Sequence, residues 1–302
     1  MTIKVAGFYL LGRKAYQSLV KFITEFGSEC ISYVVIGKDI GVDNDYSLEL
    51  MDICSKNNIK AYLRGEKVAL EASIKFSIGW RWMLEKEKLI VFHDSLLPKY
   101  RGFSPLVNML IEGEPKIGVT ALIASSKYDE GDILNQLSED ITYPIKIDAA
   151  IELVSGLYAE LLCGTYRDYV GASNIKGIPQ EHNEATYSLW RGKEDYYIDW
   201  TESSSRIERT VNALGSPYEG ARTLANNDEV IILDAESVND VFVENRSFNV
   251  GKIIFMDDNI PIVICGQGLI KLNKVVFIND NKIKSIGFRT KFGTRQNENS
   301  KS

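Results

Sequence analysis

The hydrophobic pattern changes character partway along this chain, and the change limits the folds open to it. Over roughly the first 150 residues, apolar runs at 3–11, 31–37, 59–63, 72–78 and 89–92 alternate with segments of helical spacing. Ala15, Leu19, Phe22, Ile23 and Phe26 fall on one helical face. Asp43 or Asn44 can cap a second helix that carries Leu48, Met51 and Cys54. Strands that alternate with amphipathic helices predict an α/β fold with a Rossmann-like, doubly wound, mostly parallel sheet. A longer helix starts at Asp148 with Ile151, Val154, Tyr158, Leu161 and Leu162 on one face. Residues 170–186 have no periodicity and read as a linker or partly ordered loop. After a helix over 202–214, only short strands follow, at 230–233, 241–243, 252–256, 260–265 and 269–277. They predict a small C-terminal antiparallel β-barrel, OB-like in size. The expected division is 1–185, 186–293 and a disordered polar tail, 294–302.

Charge narrows the function classes. The 302 residues include 35 Lys and Arg against 41 Asp and Glu, giving a formal charge of −6. This acidic balance offers no general affinity for nucleic acid or an anionic membrane. No apolar run reaches the roughly 18 residues needed to span a bilayer. The first residues enter a strand without the shape of a signal peptide, so a soluble cytoplasmic protein is expected. Cys30, Cys54, Cys163 and Cys265 show no CxxC pairing and read as buried thiols, with no metal site expected.

The candidate chemistry lies between residues 89 and 134. An apolar strand ends on His93, one of two histidines, and a Pro/Gly-punctuated loop follows: Asp94-Ser95-Leu96-Leu97-Pro98-Lys99-Tyr100-Arg101-Gly102. Such a strand delivers an imidazole to the carboxyl edge of a sheet, where open α/β proteins place ligands. Taken alone, a packed core histidine is as good a reading, but the constrained loop beyond it favours a ligand site. Asp129, in Asp129-Glu130-Gly131-Asp132-Ile133, can orient the imidazole and make it a proton shuttle, although the same residues also make an ordinary turn. The first strand-to-helix turn lacks GxGxxG, so NAD binding is not expected. Arg13 at that turn can meet a phosphate or be a plain surface arginine.

These motifs resemble the signature of the folate-dependent formyltransferases. The match runs from His93 through Gly102, then Gly113, Gly118-Val119-Thr120 and Asp129-x-Gly131-Asp132-Ile133, in order and spacing. That family includes methionyl-tRNA formyltransferase, glycinamide ribonucleotide transformylase and the sugar-nucleotide N-formyltransferases. Ile78-Gly79-Trp80-Arg81-Trp82-Met83 resembles the segment lining the pterin pocket. The stretch 187–200 and Ala213 to Ala221 resemble the start of the C-terminal domain, closest to the sugar-nucleotide branch.

The resemblance implies that 10-formyltetrahydrofolate is the formyl donor and that a primary amine attacks its formyl carbon. His93 would take the proton or stabilise the intermediate, and Asp129 would orient it and relay protons. Ile78, Trp80, Arg81, Trp82, Met83, Tyr128 and Asp132 would face the folate. Arg13, Lys75, Tyr100, Arg101, Trp190 and Tyr218 would face the acceptor. The expected acceptor is a nucleotide-linked amino-deoxysugar, dTDP-linked first, as used in surface polysaccharides such as the lipopolysaccharide O-antigen. A homodimer is the candidate assembly. One departure stands out: the family asparagine two residues before the histidine is Val91 here, which removes an oxyanion donor. The alternatives are a methionyl-tRNA formyltransferase-like enzyme, which changes only the acceptor, or, because of Val91, a folate- or nucleotide-binding homologue with impaired chemistry.

Overall fold

The computed structural model describes residues 5–172, 175–226, 228–278 and 286–293. It separates into two compact units. One comprises residues 1–106, 115–141 and 148–190, and the other 107–114, 142–147 and 191–302. The expected tail, 294–302, lies outside the described residues.

The first unit is built on strands β1 (Ala6–Leu10), β2 (Ile31–Ile36), β3 (Ala61–Leu63), β4 (Ile74–Ile78) and β5 (Leu89–His93). It also holds the two-residue β6 (Arg101–Gly102) and the longer β7 (Lys116–Ile123) and β8 (Ile133–Asp140). The main sheet runs β3-β2-β1-β4-β5-β7-β8. The first five strands are parallel, whereas β7 is antiparallel to β5 and β8 to β7. This is the doubly wound, mostly parallel sheet that the alternation predicted, with an antiparallel edge.

Helix α1 (Gly12–Phe26) buries Ala15, Ser18, Leu19 and Phe22. Helix α2 (Ser47–Lys56) is capped by neither Asp43 nor Asn44: Asp45 Oδ1 accepts the Ser47 N–H at 2.9 Å. Helix α3 (Pro105–Glu112) lies mainly in the second unit, and α4 (Ile147–Gly171) runs along α1. Lys21 pairs with Glu160 at 2.6 Å, and the Phe22 and Tyr166 rings meet at 4.7 Å. These two helices cover the sheet face that carries Phe8, Phe76 and Phe92. Alternation along β5 turns Val91 and His93 to the opposite face.

Residues 175–190 are not a linker. Ile178 exchanges two backbone hydrogen bonds with Ile133, both 2.8 Å, and β9 (Tyr187–Ser188) pairs in parallel with β6. The second unit holds helix α5 (Ser204–Leu214), β10 (Ala221–Ala225), β11 (Asp228–Val238), the short α6 (Arg246–Asn249), β12 (Ile253–Asp257), β13 (Ile260–Ile264), β14 (Leu269–Phe277) and β15 (Phe292–Gly293). Its sheet runs β12-β13-β14-β11-β10-β15, antiparallel throughout. A bridge between Lys252 and Lys291 joins its two edges and curls it toward a barrel. The strand expected at 241–243 is absent: the segment is irregular, Phe242 is 90% exposed, and Arg246 Nη2 is tied to the Val241 carbonyl.

Among the described residues, no helix is long and apolar enough to cross a membrane, and no cluster of three metal-capable side chains occurs. All four cysteines are free, and burial pushes the Cys54 thiol up to about 12.

Candidate active site

β5 ends where its sequence changes from apolar to polar, so His93 stands at the carboxyl edge of the sheet, paired with Thr120 on β7. The loop beyond it is held by a hydroxyl relay. Ser95 Oγ donates to Lys99 O at 2.6 Å, Thr120 Oγ1 donates to Ser95 O at 2.6 Å, and Leu97 N–H donates to Thr120 Oγ1 at 3.1 Å. Gln136 Nε2 reaches both Leu97 O and Thr120 Oγ1, at 2.9 and 2.8 Å. Leu97–Pro98 is a cis peptide, and Tyr100 sits in left-handed backbone at φ 57°. The Tyr100 carbonyl lies on His93 Nε2, at 2.8 Å.

A carbonyl only accepts, so Nε2 must carry the proton in that bond. In the neutral ring Nδ1 is then the lone-pair nitrogen, and it faces Asp129 Oδ1 at 3.5 Å. That separation is longer than a good hydrogen bond, but it sets the carboxylate directly beside the imidazole.

Asp129 arrives by an unexpected route. Because β7 is antiparallel, the loop after it starts at the amino end of β5, with Ala124 N–H donating to Leu89 O at 3.0 Å. The loop doubles back over the Val91 and His93 face before β8 begins. Asp129 is left-handed at φ 55°, a conformation that costs a non-glycine residue about 1 kcal/mol and which aspartate tolerates better than most. Its Oδ2 accepts the Gly102 N–H at 2.8 Å. Gly102 has φ 102°, and a Cβ there would lie 2.5 Å from Ser188 O, so glycine is needed at this crossing.

A second carboxylate, Asp94, points to the opposite face. Its oxygens are taken by the Lys14 ammonium and by the Tyr158 hydroxyl, which also reaches Phe92 O at 3.3 Å. Burial raises the Asp94 carboxyl, but the charge and hydrogen bonds of Lys14, with Tyr158, bring it below its ordinary range. Burial, then Asp94 itself, holds the Tyr158 phenol well above its own.

The residues expected to face folate leave the carboxyl end of β4 beside His93. Ile78 itself is buried in the core, and its carbonyl accepts the Leu11 N–H at 3.1 Å. The Trp80 and Trp82 rings meet edge to face at 5.0 Å, Tyr9 packs on Trp80, and Arg64 lies 4.1 Å from the centre of the Trp82 ring. Arg81 pairs with Asp39 at 2.5 Å, and Met83 is 57% exposed. Trp80 Nε1 is buried without a hydrogen-bond partner. An orphaned indole donor among flat aromatic faces fits a pterin, a planar ring rich in acceptors. Tyr128 is exposed with its ring 6.2 Å from that of Phe103, and Asp132 is exposed.

The residues expected to face an acceptor are scattered, and several need correction. Lys75 sits near the amino end of β4, in register with Leu89, a full strand length from the carboxyl edge. Arg13 is at the correct edge but is engaged by Asp148 at 2.7 Å, Glu152 at 3.6 Å and the Tyr46 hydroxyl at 2.9 Å. Arg101 is 1% exposed and turned inward, where its Nη2 donates to Gln180 Oε1 at 2.7 Å. Tyr100 reaches the site through its backbone carbonyl. Trp190 is 68% exposed, and Tyr218 is half-buried in the second unit. Ser95, a candidate to replace the missing oxyanion donor, is fully buried with its hydroxyl on Lys99 O, and Asn108 in the second unit accepts from Arg191. Gln180 and Lys14 escaped sequence reading because neither lies in a patterned motif.

Residues 83–149 match the family described as formyl transferase, and 191–290 match its C-terminal domain. The methionyl-tRNA formyltransferase of Hydrogenobaculum sp. is 30% identical over 220 residues, covering 68% of this chain and 72% of that protein. The enzyme of the same name from Streptococcus equi subsp. equi is 27% identical over 201 residues, and the match spans 67% of this chain but only 62% of its relative. The solved structure of WlaRD, a sugar 3N-formyl transferase crystallised with dTDP and 5-N-formyl-THF, superposes at a TM-score of 0.66 with 21% identity, over 91% of this chain and 100% of that one. With the His93 loop and the Asp129 turn both inside the first matched segment, the chain belongs to the formyl transferase family.

Proposed function

We propose that this protein is an N-formyltransferase that moves the formyl group of 10-formyltetrahydrofolate to the amine of a nucleotide-linked amino-deoxysugar, dTDP-linked first. The observation that carries the reading is the approach of His93 Nδ1 to Asp129 Oδ1, 3.5 Å apart, at the carboxyl edge of the sheet. Bound 10-formyltetrahydrofolate supplies the electrophilic formyl carbon, with Trp80, Trp82 and Met83 as the residues to hold its ring. The Tyr100 carbonyl fixes the Nε2–H tautomer, so Nδ1 is the base that takes a proton from the attacking amine. Asp129 stabilises the imidazolium that results and orients the ring. His93 thus takes a proton from the amine nitrogen as its bond to the formyl carbon forms, and returns one to the folate nitrogen as the bond from that nitrogen to the formyl carbon breaks and tetrahydrofolate leaves.

The sugar acceptor is supported by the fold match to a sugar formyltransferase and by a formal charge of −6, which suits transfer RNA poorly. A methionyl-tRNA acceptor is the second reading, favoured by the curated relatives. A cytoplasmic enzyme of surface-polysaccharide synthesis follows from the sugar reading. The test is an assay of the purified protein with 10-formyltetrahydrofolate and a panel of dTDP-, UDP- and GDP-amino sugars beside initiator methionyl-tRNA, read by product mass. Formylated sugar that disappears in His93→Ala is expected. Formylated tRNA alone would overturn the sugar reading, and no product on any acceptor would overturn the enzyme reading.

A further inference from the structure

Two residues with no part in the chemistry above lie beneath the turn that carries Asp129. Gln180 is 6% exposed and Arg101 1%. A guanidinium only donates and a backbone carbonyl only accepts, so the neighbours fix which way the Gln180 amide faces. Its Oε1 accepts from Arg101 Nε at 3.2 Å and Nη2 at 2.7 Å. Its Nε2 donates to the carbonyls of Asp129 and Gly131, each at 2.7 Å. Both ends of the Asp129-Glu130-Gly131 turn are thus pinned to one side chain.

The pin itself has little room to move. Arg101 Nη2 also meets His182 Nδ1 at 3.1 Å, and Nη1 lies 3.8 Å from Glu130 Oε1. The residue after Arg101 is Gly102, whose N–H holds Asp129 Oδ2. Positions 101 and 102 therefore hold Asp129 from two sides, through Gln180 to its main chain and directly to its carboxylate. Gly131 closes the turn where no side chain fits, since a Cβ would lie 1.7 Å from Ile123 O.

We infer that Gln180, locked by the buried Arg101, is a positioning residue that sets the Asp129 carboxylate against His93 Nδ1. The kinetic part of its test rests on the proposed formyl transfer, and the spectroscopic part does not. Gln180→Met keeps the side-chain length and removes every polar contact. Gln180→Glu keeps the partner of Arg101 but offers no amide hydrogen to the two carbonyls. The ring 15N resonances of His93 are assigned by their loss in His93→Gln, a simple matter with two histidines in the chain.

Both Gln180 variants are expected to move those resonances toward their positions in Asp129→Asn, without substrate present. Formyl transfer is expected to fall about tenfold in kcat with the donor KM within twofold, and the Asp129→Asn/Gln180→Met double variant to be no slower than Asp129→Asn alone. A folded Gln180 variant with native His93 resonances, or losses that multiply in the double variant, would overturn the inference. Failure of both variants to fold would also overturn it, in favour of a purely structural role. If the native protein formylates no acceptor, the functional reading falls while the resonances still decide this one.

Discussion

Two carboxylates flank the same histidine, and they differ in what holds their oxygens. Asp94 follows His93 directly, is turned to the helix-covered face, and has both oxygens taken by Lys14 and Tyr158. Asp129 comes from 36 positions further along, lies on the other face, and gives one oxygen to a backbone N–H while the other faces the imidazole. Nearness in sequence to the proposed base does not give a carboxylate a part in the proposed chemistry. A carboxylate held in a buried ion pair is a structural part, and one with an oxygen still facing a titratable ring is a chemical one.

The sharpest way to break this comparison is to remove each charge in turn. Asp94→Asn strands the Lys14 ammonium, whose side chain is 19% exposed, and is expected to cost about 3 kcal/mol of stability, read by urea unfolding. Asp129→Asn keeps an acceptor for the Gly102 N–H and a residue type at home in left-handed backbone. It is expected to leave the unfolding midpoint nearly unchanged and to lower kcat about 10²-fold. Equal effects of the two substitutions on stability and rate would erase the distinction.

Val91 sharpens the same contrast from the chemical side. It shares the face of His93, and Ser95 is fully engaged elsewhere. Val91→Asn is expected to raise kcat about tenfold, read in the same transfer assay, by returning an amide donor to the developing oxyanion. A fall in rate would mean that the native site already has its own donor.

The smallest expected effect is on acid stability. The Asp94 carboxyl is held below its ordinary value of 3.8, so it contributes stability above that value and loses it as pH falls through the depressed native value. Below about pH 4 the native protein should therefore lose stability more steeply than Asp94→Asn, as measured by unfolding at stepped pH.

The sequence carried the alternating sheet and the edge placement of His93, because periodicity is local; that Asp129 acts with His93 was implied by the family resemblance alone. It did not carry strand direction: nothing in 116–123 says that β7 runs antiparallel, and that reversal is what sends the Asp129 loop back over the sheet face. Lys75 was named for its charge, as a contact for the acceptor, and charge says nothing of its place near the amino end of β4. The Arg101–Gln180 and Lys14–Asp94 contacts join residues 79 and 80 positions apart, one partner in an aperiodic segment and the other on a helix with no motif. Arg101 looked like a ligand contact because a cation in a loop is usually at the surface, and here an amide and a histidine give it a buried set of acceptors.

The measurement closest to the central claim is the rate of amine formylation from 10-formyltetrahydrofolate by native, Asp94→Asn and Asp129→Asn proteins, compared at a temperature where all three are folded. The account predicts that Asp94→Asn stays within about tenfold of native and that Asp129→Asn falls about 10²-fold. A native rate in Asp129→Asn would contradict it.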